Sequence, residues 1–457
     1  MNWRKAVING ILYFQKNPIL DELKLLQSIE YKSPEYIKSL QEKRLKDLLI
    51  HAWTNTNYYH QVLEDCGVVR NGNVDLSNFN KIPALTKAII KKEEKNLRAK
   101  NLPRNRKVFE NSSGGSTGTP LKFYQDNCYW NLNIASKIYH FKMLGKDLGE
   151  REMKIWGSLD DFLKGTEGLK VKFQNFLYNR KFVQCYKLND EIIKQIINEI
   201  NRYKPKLIWT FIDQMHIISR YILKNNIKMH KPVAIFAGAT KVYSYVRKDI
   251  EKAFGVPVID FYGSRELGDV ACECSERNGF HISSLLNYVE VADNSSKLIY
   301  DKEGDFLITS LMNYAMPFIR YKIGDRGVIT KRTCKCGRGF PLIDSISGRM
   351  MEMFVKPNGE ILHPLLFINI IKTAFEMNEV RKFQIIQESY KKILIKLVSE
   401  NGLDLSSIEP GIHSVSDKIK RIMGNDCTIL FQKVDHIPLT KHGKHLYTIC
   451  NLKTNLN

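Results

Sequence analysis

The chain has 457 residues, 43% hydrophobic and 11% aromatic, and carries a formal charge of +22. That length exceeds one compact core and predicts two or three domains of ordinary globular composition. No stretch is long and apolar enough to cross a bilayer, and nine cysteines in so long a chain do not make a disulfide scaffold.

The charge has two readings. One is attraction to an anionic partner such as a nucleotide, CoA, nucleic acid or membrane surface; the other is a solvated basic surface. The lysines are scattered, with neither an RNA-stacking motif nor a basic DNA-reading helix, so nucleic acid is not an expected partner.

In chain order, residues 1–100 read as mostly helical. Residues 6–14 follow Trp3, Arg4 and Lys5, but Gln15, Lys16 and Asn17 end the run and no small-residue cleavage site follows. This predicts an amphipathic helix of a cytoplasmic protein, not a signal peptide. Leu40, Leu45, Leu48, Leu49 and Ala52 recur at helical spacing within 36–59. Pro83, Leu85 and Thr86 read as an extended cap for a helix over 87–97. Further helices are expected over 127–144, 190–203 (with Asp190 as N-cap), 213–223 and 242–254. Strands are expected over 154–157, 207–211, 233–237 and 256–262. The alternation predicts a largely parallel sheet with helices on its faces, and ligands sit at the carboxyl ends of such strands. Gly238 and residues 262–266 lie there. Short strands follow over 288–291, 297–300, 306–309 and 327–330. A boundary is expected at 348–349. Beyond it, paired strands over 380–387 and 393–398, a helix over 414–423 and a third strand over 428–434 predict a small α+β domain. Cys66, Cys128, Cys185, Cys427 and Cys450 stand alone and are expected to be buried.

Residues 111–122 read N-S-S-G-G-S-T-G-T-P-L-K. Glycine permits positive φ and close approach to a bulky anion. Hydroxyls and turned backbone N–H groups make anion-binding concavities. The stretch is a candidate phosphate-gripping loop, and its alternative is a Gly/Ser linker. The common P-loop requires lysine directly after the last glycine, and none follows Gly118.

The order S-S-G-G-S-T-G-T-P with lysine two places later instead resembles the signature loop of the adenylate-forming enzymes. Four later stretches match the same family in order. F-Y-G-S-R-E at 261–266 resembles its aromatic-Gly-x-Thr-Glu turn, Y-K-I-G-D-R at 321–326 its ribose-binding aspartate, I-S-G-R at 346–349 its hinge, and L-T-K-H-G-K at 439–444 its C-terminal lysine turn. The resemblance implies an α/β fold. A large AMP-binding domain over 1–348 would hold mixed and parallel sheets flanked by helices, a helical part over 1–100 and a β-rich part over about 267–345. A small mobile α+β lid would follow over 349–457.

It also implies site residues. Ser112, Ser113, Gly114, Gly115, Ser116, Thr117, Gly118, Thr119 and Lys122 would cradle the phosphates of ATP. Gly238, Ala239, Tyr262, Gly263, Ser264 and Arg265 would line the AMP site, with Tyr262 on adenine. Asp325 would accept from the ribose hydroxyls, Arg349 would contact the nucleotide and Glu266 would hold Mg²⁺. Lys444 would be the catalytic lysine bridging the acid and the α-phosphate. An acyl pocket is expected among 209–213, 236–239 and 261–263, with Trp209, Phe211 and Phe236 as walls.

C-E-C at 272–274, G-F-H at 279–281 and C-K-C-G-R at 334–338 are similar to the phenylacetate–CoA ligase branch, which includes proteins encoded with capsular polysaccharide genes. Cys274, His281, Cys334 and Cys336 would then form a structural Cys₃His zinc site with Cys272 as the spare. Redox chemistry is the rival reading, although it usually requires C-x-x-C. Tyr58, Tyr59 and I-P-A-L-T-K at 82–87 also resemble this branch, and K-P-N-G-E-I-L-H-P at 356–364 resembles its capsule-associated members.

Two positions depart from the pattern. Arg265 replaces the threonine that would meet the AMP phosphate, and Met351 stands where the hinge has Asp or Lys. The expected activity is activation of a small carboxylic acid as acyl-adenylate, then transfer to CoA or an amine or sugar acceptor, by a monomer or homodimer in cell-surface polysaccharide synthesis. The alternative is a zinc-containing homologue that kept the fold as a binding or scaffold protein and lost turnover.

Overall fold

The structure is a computed structural model describing residues 2–113, 121–156, 166, 168–185, 190–238, 241–293, 297–349, 354–358, 361–362, 364–375, 380–399, 405–438 and 446–452. The chain divides into two compact units, Met1–Ile346 and Ser347–Asn457.

Four helices come first: α1 (Trp3–Phe14), α2 (Ile19–Ile29), α3 (Pro34–Asn55) and α4 (Asn57–Asp65). Local chemistry sets their starts. The Ser33 side chain accepts from Tyr36 N ahead of Pro34 at the first turn of α3, and Thr56 caps α4 by accepting from Tyr59 N. The single helix expected over 87–97 is two pieces, Lys87–Lys92 and Glu94–Leu97, divided at Glu93. Thr86 caps the first piece by accepting from Ile89 N.

A hairpin follows, β1 (Val108–Ser112) with β2 (Lys122–Asp126), then α5 (Asn127–Met143), β3 (Glu152–Trp156), α6 (Leu169–Leu177) and β4 (Arg180–Gln184). Next come α7 (Asp190–Tyr203), β5 (Leu207–Phe211), α8 (Ile212–Lys224), β6 (Ala234–Gly238), α9 (Ser244–Phe254) and β7 (Val258–Ser264). Asp190 is the first described helical residue of α7, not a cap before it. Ile193, Ile196, Ile197 and Ile200 of α7 are buried, the i, i+3, i+4, i+7 stripe of a core-facing helix. Each such side chain contributes about 1.5–3 kcal/mol on burial.

The β-rich part expected over 267–345 continues the same sheet. It comprises β8 (Gly268–Glu273), β9 (Phe280–Ile282), β10 (Asn287–Ala292), β11 (Gly304–Ser310), β12 (Tyr321–Thr330) and β13 (Leu342–Arg349). Among the described residues the sheet has eleven strands in the order β10-β11-β12-β13-β9-β8-β7-β6-β5-β3-β4. Strands β4, β3, β5, β6 and β7 are mutually parallel. From β7 to β8 the pairing turns antiparallel. The strand expected over 297–300 is only an isolated bridge between Ala292 and Leu298.

In the second unit β14 (Val380–Ser389), β15 (Lys392–Ser399), β16 (Thr428–Lys433) and β17 (Thr448–Cys450) pair in the order β16-β15-β14-β17. Helices α10 (Pro364–Ala374) and α11 (Glu409–Met423) accompany them. Gln387 ties this sheet to residue 355: its Oε1 accepts from Val355 N at 2.9 Å and its Nε2 donates to Val355 O at 2.7 Å. No described helix is long and apolar enough to cross a membrane.

Candidate active site

The parallel half of the sheet meets the antiparallel half at the β7–β8 turn. Ser264 pairs with Gly268 across it, and Arg265, Glu266 and Leu267 form the tip. Ser264 Oγ accepts from Leu267 N at 3.1 Å. The turn admits no side chain at two points. A Cβ on Gly263 would meet Gly268 O at 2.5 Å, and Gly268 itself has φ +61° with Asn133 and Tyr129 against it. Glu266 is 7% exposed. Among the described residues its carboxylate has no ion-pair partner, and such a group suits a hard divalent cation.

The β1–β2 hairpin is fastened to this turn. Gln125 Nε2 donates to Arg265 O at 2.9 Å and Glu266 O at 3.2 Å, while its Oε1 accepts from Asn111 Nδ2 at 2.9 Å. Ser113 N donates to Leu121 O, and Leu121 N donates to Ser113 Oγ, both at 2.8 Å, which closes the mouth of the glycine loop. Ser112 N is taken by Asn111 Oδ1 at 2.8 Å. These two serines therefore stand where the strands enter the glycine loop, and their amides are spent locally. Lys122 pairs with Glu110 at 3.3 Å. Gly114, Gly115, Ser116, Thr117, Gly118 and Thr119 lie outside the described residues, as do Ala239, Met351 and Lys444; of Arg349 only the backbone, ending β13, is described.

Tyr262 and Asp325 are 63 positions apart in the chain and meet here. The Tyr262 hydroxyl donates to Asp325 Oδ2 at 2.8 Å. The Tyr262 ring leans on Phe306, 5.8 Å between centroids. Asp325, 8% exposed, follows Gly324, whose φ of +94° suits glycine. A half-buried aromatic face and a buried carboxylate thus stand together beside the turn that holds the hairpin. Gly238 ends β6 opposite Phe211 of β5, and a Cβ there would meet the Phe261 ring at 3.0 Å.

An aromatic wall runs across β3, β5, β6 and β7. Trp156 packs on Phe211 at 4.3 Å and on Trp209 at 5.4 Å, and Phe236 stacks on Phe261 at 5.2 Å. Phe236 is fully buried with Phe141 edge-on at 5.1 Å, so it is a floor and not an accessible wall. Behind it lies a buried charged group that pattern reading missed. Lys137 Nζ contacts Asp269 Oδ1 at 2.5 Å and sits 3.3 Å from the Phe261 centroid; His140 Nδ1 is 3.4 Å from Asp269 Oδ2. Burial pulls the Lys137 and His140 pKa values down while Asp269 opposes that pull. Burial likewise opposes ionisation of Asp269, but Lys137 and His140 hold its carboxyl below the ordinary value.

The cysteine motifs converge on one cluster. The ligand atoms of Cys274, His281, Cys334 and Cys336 all lie within 4.8 Å of one another. Cys274 and Cys334 sulfurs are 3.6 Å apart, and Cys336 Sγ is 3.3 Å from His281 Nε2. A tetrahedral zinc with S at about 2.3 Å and N at about 2.0 Å has edges of about 3.5–3.8 Å, so the donor set fits that ion. Burial, with the neighbouring sulfurs, pushes the Cys274 thiol up to about 12, and burial pulls His281 down to about 4. A bound dication would supply the charge that holds the sulfurs as thiolates. Cys272 is outside the cluster; it is buried in the apolar group with Phe236 and donates to Glu273 O at 3.2 Å. Arg338 ties the cluster loop to Glu30, the residue that ends α2, at 3.0 Å, and Gly339 lies too close to Lys32 O for any side chain. Of the lone cysteines, Cys185 and Cys427 are buried, whereas Cys66, Cys128 and Cys450 are half-buried.

Sequence reasoning also missed Gln125 and Asn111. Asn111 opens the 111–122 stretch but its motif gives it no role, Gln125 has no motif around it, and only the pairing of the hairpin reveals what they do.

Comparison with known proteins adds four findings. The family model for the CapK C-terminal domain matches residues 354–451. The chain is 26% identical over 421 residues to protein CapK of Staphylococcus aureus, covering 91% of this chain and 89% of that one. It is 23% identical over 437 residues to phenylacetate–coenzyme A ligase of Escherichia coli, covering 90% and 94%. Among solved structures, 2-hydroxyisobutyryl-CoA ligase in its postadenylation state with 2-HIB-AMP superposes with a TM-score of 0.72 at 16% identity, covering 92% of this chain and 91% of that one. The structural likeness identifies the fold as that of the adenylate-forming ligases.

Proposed function

From its kinship with CapK and the phenylacetate–coenzyme A ligases of the adenylate-forming family, we propose that the chain is an ATP-dependent, AMP-forming acid ligase. It activates a carboxylic acid as acyl-adenylate and passes the acyl group to CoA or to an amine or sugar acceptor during synthesis of a capsular or other cell-surface polysaccharide. The observation that carries the reading is the Tyr262–Asp325 pair at 2.8 Å beside the pinned 262–266 turn. An aromatic face and a buried carboxylate are what a purine riboside requires.

In the first step the substrate carboxylate attacks the α-phosphorus, forming an acyl–phosphate bond and breaking the α–β anhydride, so pyrophosphate leaves. The obstacle is bringing an anion against a polyanion. In this reading Tyr262 and Asp325 would fix the nucleoside, Gly238 lets the Phe261 ring lie against the β6 end, and the glycine loop with Arg265 would take the phosphates. Arginine binds phosphate well. Glu266 would hold Mg²⁺, which neutralises charge on the leaving pyrophosphate. Lys444 would draw carboxylate and α-phosphate together, and Arg349 would contact the nucleotide. The zinc cluster is structural in this reading, since four protein ligands leave no open position.

The spent amides of Ser112 and Ser113 favour a second reading, in which the fold persists as a binding protein without turnover. Acid-dependent exchange of labelled pyrophosphate into ATP, run over a panel of aryl, hydroxy and amino acids, separates the two. Exchange with one class of acid supports the ligase and names its substrate. Tight AMP binding with no exchange on any acid contradicts it.

A further inference from the structure

The outward side of α1 carries no charge. At about 100° per residue, Trp3, Ala6, Val7, Gly10, Tyr13 and Phe14 fall within about 120° of arc. Tyr13 is 76% and Phe14 85% exposed. The helix is nonetheless firmly seated. Ile8 and Leu12 are buried, Asn2 Nδ2 donates to Leu148 O at 2.7 Å, and Lys5 pairs with Asp147 at 2.7 Å. Its apolar side is therefore a fixed ridge.

Helix α6 extends that ridge. Leu169, Phe173 and Phe176, spaced i, i+4, i+7, are all exposed, Leu169 at 88%. Trp3 and Phe176 rings lie 6.3 Å apart, and the Arg4 guanidinium sits over both at 4.5 and 5.2 Å. Beside the ridge opens a groove of about 380 Å³ whose lining includes Arg4, Lys172, Arg180, Lys181 and Tyr203. Arg180 pairs with Glu152, and Lys181 with Glu199. Among the described residues Arg4 and Lys172 have no acidic partner. Contiguous exposed apolar surface of this kind marks an interaction face.

We propose that the α1–α6 face binds an anionic phospholipid surface. The aromatic ridge enters the boundary between headgroups and acyl chains, and the basic groove with Arg4 and Lys172 takes a phosphate headgroup. An apolar face rimmed by Lys and Arg is the pattern of a helix lying in the membrane interface. Charge decides against a second copy of this chain as the occupant: the protein is +22 overall, and pairing two such faces would bring their basic groups together. An anionic leaflet attracts that same charge. With no described helix able to span a bilayer, the attachment is peripheral. The inference is independent of the ligase reading.

The test is co-sedimentation of the full-length protein with vesicles of phosphatidylcholine alone and of phosphatidylcholine mixed with phosphatidylglycerol. Binding is expected only with phosphatidylglycerol and should weaken as salt rises. Phe14→Glu and Phe173→Glu should each lower partitioning about ten-fold or more. Lys172→Ala should lower it about five-fold. These side chains are exposed, so the circular dichroism spectra of the variants should match the parent. Failure to pellet with anionic vesicles at low salt overturns the proposal. Partitioning unchanged in Phe14→Glu and Phe173→Glu overturns it too. Light scattering that finds a dimer dissociated by Phe14→Glu, without lipid binding, would reassign the face to copy-to-copy contact.

Discussion

At the scale of single residues, the nucleoside reading rests on Asp325. A hydrogen bond to a charged group contributes about 1.5–3 kcal/mol. Asp325→Ala should therefore weaken AMP binding by about ten- to a hundred-fold in a calorimetric titration. Tyr262→Phe keeps the aromatic face and loses one hydrogen bond, so its loss should stay below about ten-fold. Equal losses in the two variants would mean that the pair is structural. Lys444→Ala is expected to slow pyrophosphate release by about 10²–10³ while sparing transfer from a supplied acyl-adenylate. Survival of both half-reactions to the same degree would remove Lys444 from the first step. Away from the site, Glu152 gives a pH prediction. It is fully buried, which opposes ionisation, but Arg180 and Lys146 override that and hold its pKa at about 2. A carboxyl whose folded pKa lies below its unfolded value stabilises above the unfolded pKa, and that stability fades as pH falls toward the folded one. Thermal melts should fall between about pH 4.5 and pH 2, by an amount on the order of 3 kcal/mol. Glu152→Gln, less stable at neutral pH, should show a flatter acid limb. An acid limb identical to the parent's would reject the assignment.

At the scale of elements, the hairpin and the cysteine cluster make separate predictions. Gln125 joins β1 and β2 to the 265–266 backbone. Gln125→Leu should leave buried carbonyls unpaired and cost about 1–3 kcal/mol in a denaturant melt. If the hairpin positions the glycine loop, the ATP KM should rise more than the AMP dissociation constant, because AMP lacks the phosphates that the loop is proposed to grip. The cluster predicts about one zinc per chain by elemental analysis. Cys334→Ser should lose the metal and melt lower, whereas Cys272→Ser should keep the metal, since Cys272 lies among apolar side chains. Zinc retained by Cys334→Ser and lost from Cys272→Ser would reverse the ligand assignment.

At the scale of the whole molecule, the sequence was legible where burial leaves a continuous apolar run or a periodic stripe. Strands β5 and β6 lie almost where short apolar runs put them, because they are buried nearly throughout, and helix α7 lies where its buried isoleucines recur at helical spacing. The β1–β2 hairpin was not legible. Its residues V-F-E-N-S and K-F-Y-Q-D are polar on the side that meets solvent and the 262–266 turn, and no strand period survives. Helix α6 was missed for the opposite reason: its Leu169, Phe173 and Phe176 point outward, so no core-facing stripe marks it. The continuity of one sheet through β8, β9 and β13 was also hidden, since β9 has three residues and its pairing to β13 joins segments about sixty positions apart. Motif order assigned Tyr262, Glu266 and Asp325 to one expected site, and spacing alone could not have found the contact between the first and last of them. What Gln125, Asn111, Lys137 and Asp269 do is visible only once the chain is folded.

The most direct test of the central claim is chemical capture of the acyl-adenylate. The protein is incubated with ATP, magnesium, hydroxylamine and each acid of a panel, and hydroxamate is measured. The account predicts hydroxamate that requires both ATP and one class of acid and that falls sharply in Asp325→Ala. Hydroxamate absent with every acid, from protein that binds AMP, would contradict it.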